Sequence, residues 1–129
     1  MPYNNLTHQE EQIIINKSTE PPFTGEYEDF YDEGNFICKR CNNLLFSSKA
    51  KFNAQCGWPS FDDCYENALL EVPDKDGIRT EIICANCKGH LGHVFKNEGF
   101  TEKNTRHCVN SLSIKFVPAN EVLPEVMYE

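Results

Sequence analysis

Four of the seven cysteines stand in two identically spaced pairs, Cys38 with Cys41 and Cys84 with Cys87. A repeated C-x-x-C pair is typical of a tetrahedral zinc site, because Zn²⁺ takes four thiolate ligands and each short turn presents two. Four thiolates fill the coordination shell and leave no position for water or substrate. We therefore predict a structural zinc ion, and we expect any chemistry of this chain to lie elsewhere.

The composition predicts one small domain, residues 1–129, with an acidic surface. Lys+Arg 12 against Asp+Glu 20 gives a formal net charge of −8, which repels phosphate backbones and argues against a nucleic-acid partner. The first residues lack the pattern of a secretory signal, and no apolar run is long enough for a bilayer, so we expect no membrane association. An odd number of cysteines, 7, indicates a reducing compartment, and we expect a cytoplasmic monomer.

Turn residues divide the chain into short segments, which predicts a mainly β fold. Residues 7–16 are the exception, because Thr7 and Glu10 form a capping-box pattern that predicts a short helix. We predict short strands that enter and leave the cysteine pairs, at residues 35–38, 44–46, 79–84 and 93–95, an exposed turn at residues 73–77 and a last strand at residues 106–117.

The last predicted strand carries polar side chains at one end of one face. Alternate side chains of a strand share a face, so Arg106, Cys108 and Asn110 are neighbours there, followed by apolar residues. A nearby guanidinium lowers the pKa of a thiol, and the thiolate is the nucleophilic form of cysteine. The strand therefore indicates a nucleophilic Cys108 at the rim of a sheet. A buried, inert cysteine is the alternative, and the flanking residues alone leave both interpretations open.

His90 and His93 directly follow the second cysteine pair. Gly89 and Gly92 let the backbone bend, so both imidazoles can point into one cleft and act there as proton donor or base. One alternative is that one histidine caps a turn and the other is exposed. Another is a second metal site, although no spare carboxylate or cysteine lies at ligand spacing.

The segment around Cys56 carries the only tryptophan, Trp58, between Gly57 and Pro59. An aromatic ring in such a loop either covers the core or forms a binding surface. A cysteine in a loop is also mobile enough to approach another cysteine, so Cys56 is a second candidate for thiol chemistry.

Five segments in this order resemble the methionine-R-sulfoxide reductase family, the B-type methionine sulfoxide reductases. They are EPPFTGEY at 20–27, the first cysteine pair with LLF at 44–46, CGWPSF at 56–61, CANCKGHLGHVF at 84–95 and RHCVNS at 106–111. The resemblance runs through nearly the whole chain. It implies a β-tent, in which two antiparallel sheets pack at an angle, with short N-terminal helices.

The resemblance also implies a reaction on methionine-R-sulfoxide, either free or within an oxidised protein. Cys108 would attack the sulfoxide and become a sulfenic acid. Cys56 matches the resolving position and would form a disulfide with Cys108, which thioredoxin would reduce. The resemblance implies two further groups of site residues. The sulfoxide oxygen would be surrounded by His90, His93, Asn110 and Arg106. The substrate would be bound by Trp58 and Phe61.

Three features depart from the family pattern. His107 stands at a commonly aromatic position and is expected to face away from Cys108. The segment at 96–97, Lys-Asn, replaces one that more often carries an acidic residue, which puts a carboxylate partner for the histidines in doubt. Cys64 is an additional thiol, expected to be structural or to compete with Cys56 as the resolving cysteine.

Two other function classes deserve comparison. A non-catalytic zinc-ribbon interaction module needs only the two cysteine pairs, but it leaves Cys56 and Cys108 without a role. A zinc hydrolase or deaminase needs an open metal position and a catalytic glutamate near the ligands, and the cysteine pairs lack such a glutamate.

Overall fold

The computed structural model describes residues 3–128 and contains, within that range, one α-helix, α1 at His8–Ile14. Thr7 precedes it as the N-cap: its hydroxyl accepts the N–H of Glu10, and the Glu10 carboxylate accepts the N–H of Thr7. The predicted capping box is confirmed, although the helix is shorter than predicted. No helix between residues 3 and 128 combines the length and the apolar character needed to cross a bilayer.

Antiparallel strands make up most of the regular structure, which confirms the predicted fold class. In chain order they are β1 Gly34–Cys38, β2 Leu44–Ser47, β3 Lys51–Phe52, β4 Ser60–Phe61, β5 Leu69–Pro73, β6 Thr80–Cys84, β7 His90–Lys96, β8 Thr105–Val109 and β9 Ile114–Pro118.

The strands form two sheets, one with the order β2-β1-β9 and one with the order β3-β4-β8-β7-β6-β5. Strand β8, which carries Cys108, lies inside the larger sheet between β4 and β7. Because both edges of β8 are paired, its backbone is fixed, and a side chain on it has a defined direction.

The predicted single strand at 106–117 is wrong, because it is two strands in different sheets. A short 3-10 helix, Ser111–Ser113, separates β8 from β9. The N–H of Ser113 donates to the Asn110 carbonyl at 3.0 Å, and the Ser113 hydroxyl donates to the His90 carbonyl at 3.0 Å. The first contact closes the turn and the second ties it to β7, so Arg106, Cys108 and Asn110 stay with the larger sheet while the apolar half joins the smaller one.

Aromatic rings fill the core. Phe36, Phe46 and Phe61 are fully buried, and the rings of Phe46 and Phe61 stack with centroids 4.2 Å apart. Each such ring contributes roughly 1.5–3 kcal/mol by leaving water. The packing fixes β1, β2 and β4 relative to one another, and it therefore fixes the strand that flanks β8.

Candidate active site and metal centre

The four paired cysteines converge on one buried point that joins the two sheets. Cys38 ends β1 and Cys84 ends β6, and their partners lie in the turns that follow. All four Sγ atoms lie within 4.8 Å of one another, and the Cys38–Cys87 and Cys41–Cys84 distances are both 3.6 Å. A tetrahedral zinc ion with Zn–S bonds of about 2.3 Å holds its sulfurs about 3.8 Å apart, so the cluster fits this ion.

The two cysteine turns have matching backbone geometry. The N–H of Asn42 donates to the Cys38 carbonyl at 2.9 Å, and the N–H of Lys88 donates to the Cys84 carbonyl at 2.9 Å. Both Asn42 and Lys88 have positive φ angles, 68° and 66°. Equal turns on opposite sides of the cluster present their sulfurs to a common centre.

A second group of side chains forms a row across one face of the larger sheet. The strand register pairs Glu81 of β6 with His93 of β7, His93 with Cys108 of β8, and Cys108 with Ser60 of β4. Directly opposite residues on neighbouring strands share a face. The row therefore brings a carboxylate, an imidazole and a thiol to the same side of the sheet.

Cys108 lines a pocket of about 150 Å³, roughly five times the share of liquid volume that one water molecule occupies. The predicted site residues that line it are Cys56, Trp58, His93, Arg106, Cys108 and Asn110. Sequence reasoning did not single out Thr19, Arg79, Phe95 or Val109, which also line it. Two predicted residues, His90 and Phe61, are not part of the lining.

The two candidate redox thiols lie side by side in this pocket, with 4.0 Å between the Sγ atoms of Cys56 and Cys108. A hydrogen bond between them lowers the pKa of Cys56 to about 5 and raises the pKa of Cys108. Both directions have one cause, because the thiol that donates must keep its proton while the accepting sulfur is stabilised as a thiolate. The pair therefore holds one negative charge at neutral pH, and its titration belongs to both sulfurs.

Arg106 affects Cys108 less than the sequence indicated. Its guanidinium does lower the pKa of Cys108, but the contact with Cys56 outweighs it, so the net shift is upward. The Arg106 Nε lies 2.8 Å from Oε1 of Glu98, its Nη2 lies 3.3 Å from Oε2, and the guanidinium carbon is 4.4 Å from the centre of the Phe95 ring. These contacts hold the positive group at the wall of the pocket.

The loop before β4 brings Cys56 and Trp58 to the pocket. Gly57 has a φ of +94°, and a Cβ atom there would lie 2.6 Å from the Pro22 side chain, so the turn requires glycine. The indole Nε1 of Trp58 donates to the Glu20 carbonyl at 2.9 Å. The indole ring is thus tied to the chain segment on the other side of the pocket and forms a fixed apolar wall.

Asn110 is buried, and its side-chain amide forms hydrogen bonds mainly with backbone groups. Its Oδ1 accepts the N–H of Glu20 at 3.0 Å, and its Nδ2 donates to the Leu91 carbonyl at 3.1 Å. One amide hydrogen of Asn110 remains for the pocket. Since Glu20 also holds Trp58, Asn110 links β7, β8 and the aromatic wall.

A β-bulge turns the two histidines toward each other. The β6–β7 register skips Leu91, and the ring centroids of His90 and His93 are 5.7 Å apart. The bulge, rather than a flexible glycine, brings the imidazoles together, and only His93 lines the pocket, so the predicted entry of both rings into one cleft is wrong. Gly92 instead allows β7 to approach β8 closely, because a Cβ atom at this position would lie 1.9 Å from the Cys108 carbonyl oxygen.

Each imidazole has a carboxylate partner from outside its own strand. Nδ1 of His90 lies 2.7 Å from Oε2 of Glu81, and Nε2 of His93 lies 2.8 Å from Oδ1 of Asp74. Burial lowers the pKa of His90, and its Nε2 is buried without a hydrogen-bond partner among residues 3–128. The acidic residue missing from the segment at 96–97 is therefore not needed by the histidines.

Three further residues lie away from the pocket. Phe61 is fully buried in the core, where it packs against Phe46, so its predicted contact with the substrate is wrong. His107 is also buried, and its Nδ1 lies 3.1 Å from the Phe61 carbonyl oxygen, on the face opposite Cys108 as expected. Cys64 lines a different surface depression together with Lys103.

Comparison with known proteins identifies the family. The SelR domain matches residues 6–118. Peptide methionine sulfoxide reductase B5 of Oryza sativa subsp. japonica is 51% identical over 116 residues, which cover 89% of this chain and 85% of that protein. Peptide methionine sulfoxide reductase B5 of Arabidopsis thaliana is 50% identical over 115 residues, which cover 88% of this chain and 83% of that protein.

Some relatives are longer. Chloroplastic peptide methionine sulfoxide reductase B3 of Oryza sativa subsp. japonica is 50% identical over 117 residues, which cover 90% of this chain and 51% of that protein. This chain thus spans about half the length of that relative. The domain match and the identity to proteins of similar length nevertheless agree on the same family. The chain belongs to the SelR domain family, together with relatives named peptide methionine sulfoxide reductase B.

Proposed function

We propose that this chain reduces methionine-R-sulfoxide to methionine, with Cys108 as the nucleophile. The observation that carries the proposal is the presence of two thiols in one small pocket, 4.0 Å apart. One sulfur is available for attack on the substrate and the other for disulfide formation. This arrangement supports a two-step thiol cycle at Cys108 and Cys56.

The proposed first step moves two electrons and one oxygen atom. The sulfur of Cys108 attacks the sulfoxide, the S–O bond of the substrate breaks, and the oxygen ends on Cys108 as a sulfenic acid while methionine leaves. In the second step the Cys56 sulfur attacks Cys108, an S–S bond forms, and the oxygen departs as water. A dithiol then returns both cysteines to thiols, and we infer that thioredoxin is this reductant.

The charge of the thiol pair gives the first step its nucleophile. In the reduced pair one proton lies between the two sulfurs, so transfer of that proton to Cys56 leaves the thiolate on Cys108. Arg106 faces the developing charge from the pocket wall. His93 is the proposed proton source for the sulfoxide oxygen, and the remaining amide hydrogen of Asn110 is a further donor to it.

The fixed indole of Trp58 supports selection of one sulfoxide epimer. The substrate sulfur carries a methyl group and an oxygen, which differ in polarity. We propose that the methyl group packs on Trp58 while the oxygen faces His93 and Arg106, all of which line the pocket. The S epimer would exchange the two groups and place each against the wrong surface.

Replacing Trp58 with alanine is expected to raise the apparent KM for methionine-R-sulfoxide about tenfold, which corresponds to about 1.4 kcal/mol of lost contact. The measurement is steady-state methionine formation with dithiothreitol. Trp58→Phe keeps an aromatic face but loses the hydrogen bond to Glu20, so its apparent KM should lie between those of the wild type and Trp58→Ala. An unchanged KM in Trp58→Ala would exclude the methyl contact.

Replacing Cys56 with serine is expected to leave one turnover intact and to stop cycling with thioredoxin. The disulfide needs the two sulfurs to close from 4.0 Å to about 2.05 Å, a small shift within the loop, and serine cannot form it. Quenched single-turnover assays report the first step, and thioredoxin-driven turnover reports the second. Cys64→Ser is the matched control and should retain both, because Cys64 lines a different depression. Continued thioredoxin-driven turnover without Cys56 would identify another resolving thiol.

We also infer that the cysteine cluster holds a structural zinc ion. Its four ligands would be Cys38, Cys41, Cys84 and Cys87, which supply the four thiolates that Zn²⁺ accepts. Bound there, the ion would join the turn after β1 to the turn after β6. Its closed shell would give it no part in the reaction. The proposed cycle starts from two thiols, which is consistent with a reducing compartment such as the cytoplasm. We also propose that the protein acts as a monomer.

The direct test is the formation of methionine from separated R and S epimers of methionine sulfoxide, with dithiothreitol as reductant. We expect product from the R epimer and little from the S epimer. An interaction module without catalytic activity would release none from either. The pocket with two thiols favours the enzyme, because a module has no use for a thiolate paired with a second thiol.

A further inference from the structure

The turn after β5 reaches back to the pocket and contacts His93. Nε2 of His93 lies 2.8 Å from Oδ1 of Asp74, and this hydrogen bond is the largest cause of the lowered pKa of the Asp74 carboxyl. An ionised carboxylate only accepts hydrogen bonds, so Nε2 must be the donor. His93 consequently carries a hydrogen on Nε2, and Nδ1 is the nitrogen that Asp74 leaves unengaged.

Asp74 is itself held in place by its own turn. Its second oxygen, Oδ2, accepts the N–H of Asp76 at 3.1 Å, and its carbonyl accepts the N–H of Gly77 at 3.0 Å. The Asp76 carboxylate in turn accepts the N–H groups of Ile78 and Arg79 at 2.8 and 3.0 Å. Oδ2 of Asp74 also lies 3.9 Å from Nη2 of Arg79, so Oδ2 faces its own turn and Oδ1 faces His93.

The two residues that stand opposite His93 on the neighbouring strands have different partners. Glu81 stands opposite His93 in the sheet, but its carboxylate contacts other residues. Its Oε2 lies 2.7 Å from Nδ1 of His90, and its Oε1 lies 3.1 Å from Nζ of Lys17. On the other side of His93 stands Cys108, whose thiol pairs with Cys56. Asp74 is thus the carboxylate that orients the imidazole lining the pocket.

We propose that Asp74 is a positioning residue that fixes the tautomer and the ring plane of His93, so that Nδ1 exchanges a proton with the sulfoxide oxygen. This catalytic role rests on the function proposed above, whereas the tautomer depends only on the contact between the two side chains. Before the step, Nδ1 of His93 takes up a second proton from solvent while Nε2 keeps its hydrogen toward Asp74. That Nδ1 proton passes to the oxygen as the S–O bond breaks, and His93 returns to the neutral ring with its hydrogen on Nε2. Carboxylates hold catalytic imidazoles in this way in other enzymes.

Asp74→Asn is the informative variant, because asparagine has one acceptor oxygen and one donor nitrogen. If its oxygen keeps the N–H of Asp76, its nitrogen faces His93 and donates to Nε2, which moves the ring hydrogen to Nδ1. We expect ¹⁵N spectra of histidine-labelled protein to show this exchange of tautomers. We also expect the single-turnover rate of methionine formation to fall at least about tenfold.

Glu71→Gln is the matched control. It removes the same charge from the preceding strand, where Glu71 pairs with Lys96 at the surface, and should change neither the tautomer nor the rate. Asp74→Ala provides a second variant, in which the spectra should show a mixture of the two tautomers.

Two results would overturn the role of Asp74: an unchanged His93 tautomer in both Asp74 variants, or an unchanged rate in a variant whose tautomer has changed. A wild-type protein that forms no methionine would instead reject the proposed function, and with it the catalytic part of the role. The spectra would still decide whether Asp74 sets the tautomer, because they require only folded protein. The two failures are therefore distinguishable.

Discussion

Serine in place of Cys108 is expected to abolish methionine formation, with a loss on the order of 10³-fold or more, as for other enzymes that lose their nucleophile. A serine hydroxyl is un-ionised at neutral pH, and its oxygen cannot take up the substrate oxygen as a sulfenic acid does. The assay is single-turnover methionine formation, which needs no recycling of the enzyme. Retained turnover would remove Cys108 from the reaction.

Mass spectrometry provides an independent readout of the same expectation. In the Cys56→Ser background, methionine-R-sulfoxide should add one oxygen atom to the protein, and the added atom should map to Cys108. Adding Cys108→Ser should eliminate this mass increase, whereas adding Cys64→Ser should not. Oxygen on another cysteine would assign the attack to that residue.

The reduced thiol pair also predicts a dependence on pH. The contact with Cys108 is the largest cause that lowers the pKa of Cys56 to about 5, so the wild-type pair carries a thiolate above roughly that pH. In Cys108→Ala the contact is lost, and the pKa of Cys56 should rise toward its ordinary value. The rate of alkylation by iodoacetamide should then reach its plateau at a higher pH than in the wild type. Identical profiles would show that the two sulfurs do not share a proton.

Local patterns in the sequence predicted the elements whose causes are local. Thr7 and Glu10 of the capping box are three positions apart, and this pattern predicted the start of α1 correctly. The cysteine spacing predicted a four-sulfur cluster, because two short turns with equal geometry present the ligands. In the capping box, and within each cysteine pair, the groups that interact are close in sequence.

The break after Asn110 has a cause that no local pattern records. Residues 106–117 alternate as one strand would, but Asn110 accepts a hydrogen bond from the Glu20 N–H and donates one to the Leu91 carbonyl, which anchors the chain to distant segments. The positions of those segments depend on the packing of the whole fold. The apolar alternation was therefore recognised correctly, while its assignment to one sheet was wrong.

The carboxylates of the site were missed for a similar reason. Asp74 meets His93 from the turn after β5, Glu81 of β6 meets His90 of the neighbouring β7, and Glu98 meets Arg106 across the β7–β8 connection. Nothing in their sequence positions alone distinguishes these residues from acidic residues at the surface. The upward pKa shift of Cys108 likewise comes from a loop, since Cys56 lies 52 residues away in the chain and only 4.0 Å away in space.

Removing the proposed zinc ion is expected to unfold the protein. Structural zinc contributes roughly 10–16 kcal/mol to small domains. The net stability of a whole domain is only about 5–15 kcal/mol, so the contribution of the metal matches or exceeds it. In this fold the cluster joins the turn after β1, in the smaller sheet, to the turn after β6, in the larger one. Without the ion, four buried thiol groups remain within 4.8 Å of one another and hold the sheets together weakly.

Cys84→Ser tests this expectation without a chelator in the sample. Cys84 ends β6, the strand that carries Glu81 and pairs with β7, so loss of this ligand should also release His90 and His93. We expect loss of bound zinc by elemental analysis, loss of the cooperative thermal transition in circular dichroism, and loss of activity together. Cys64→Ser replaces a cysteine outside the cluster and should keep all three. A Cys84→Ser protein that melts cooperatively at the wild-type temperature would show that the packed core, including the contact between Phe36 and Phe61, holds the two sheets together without the metal.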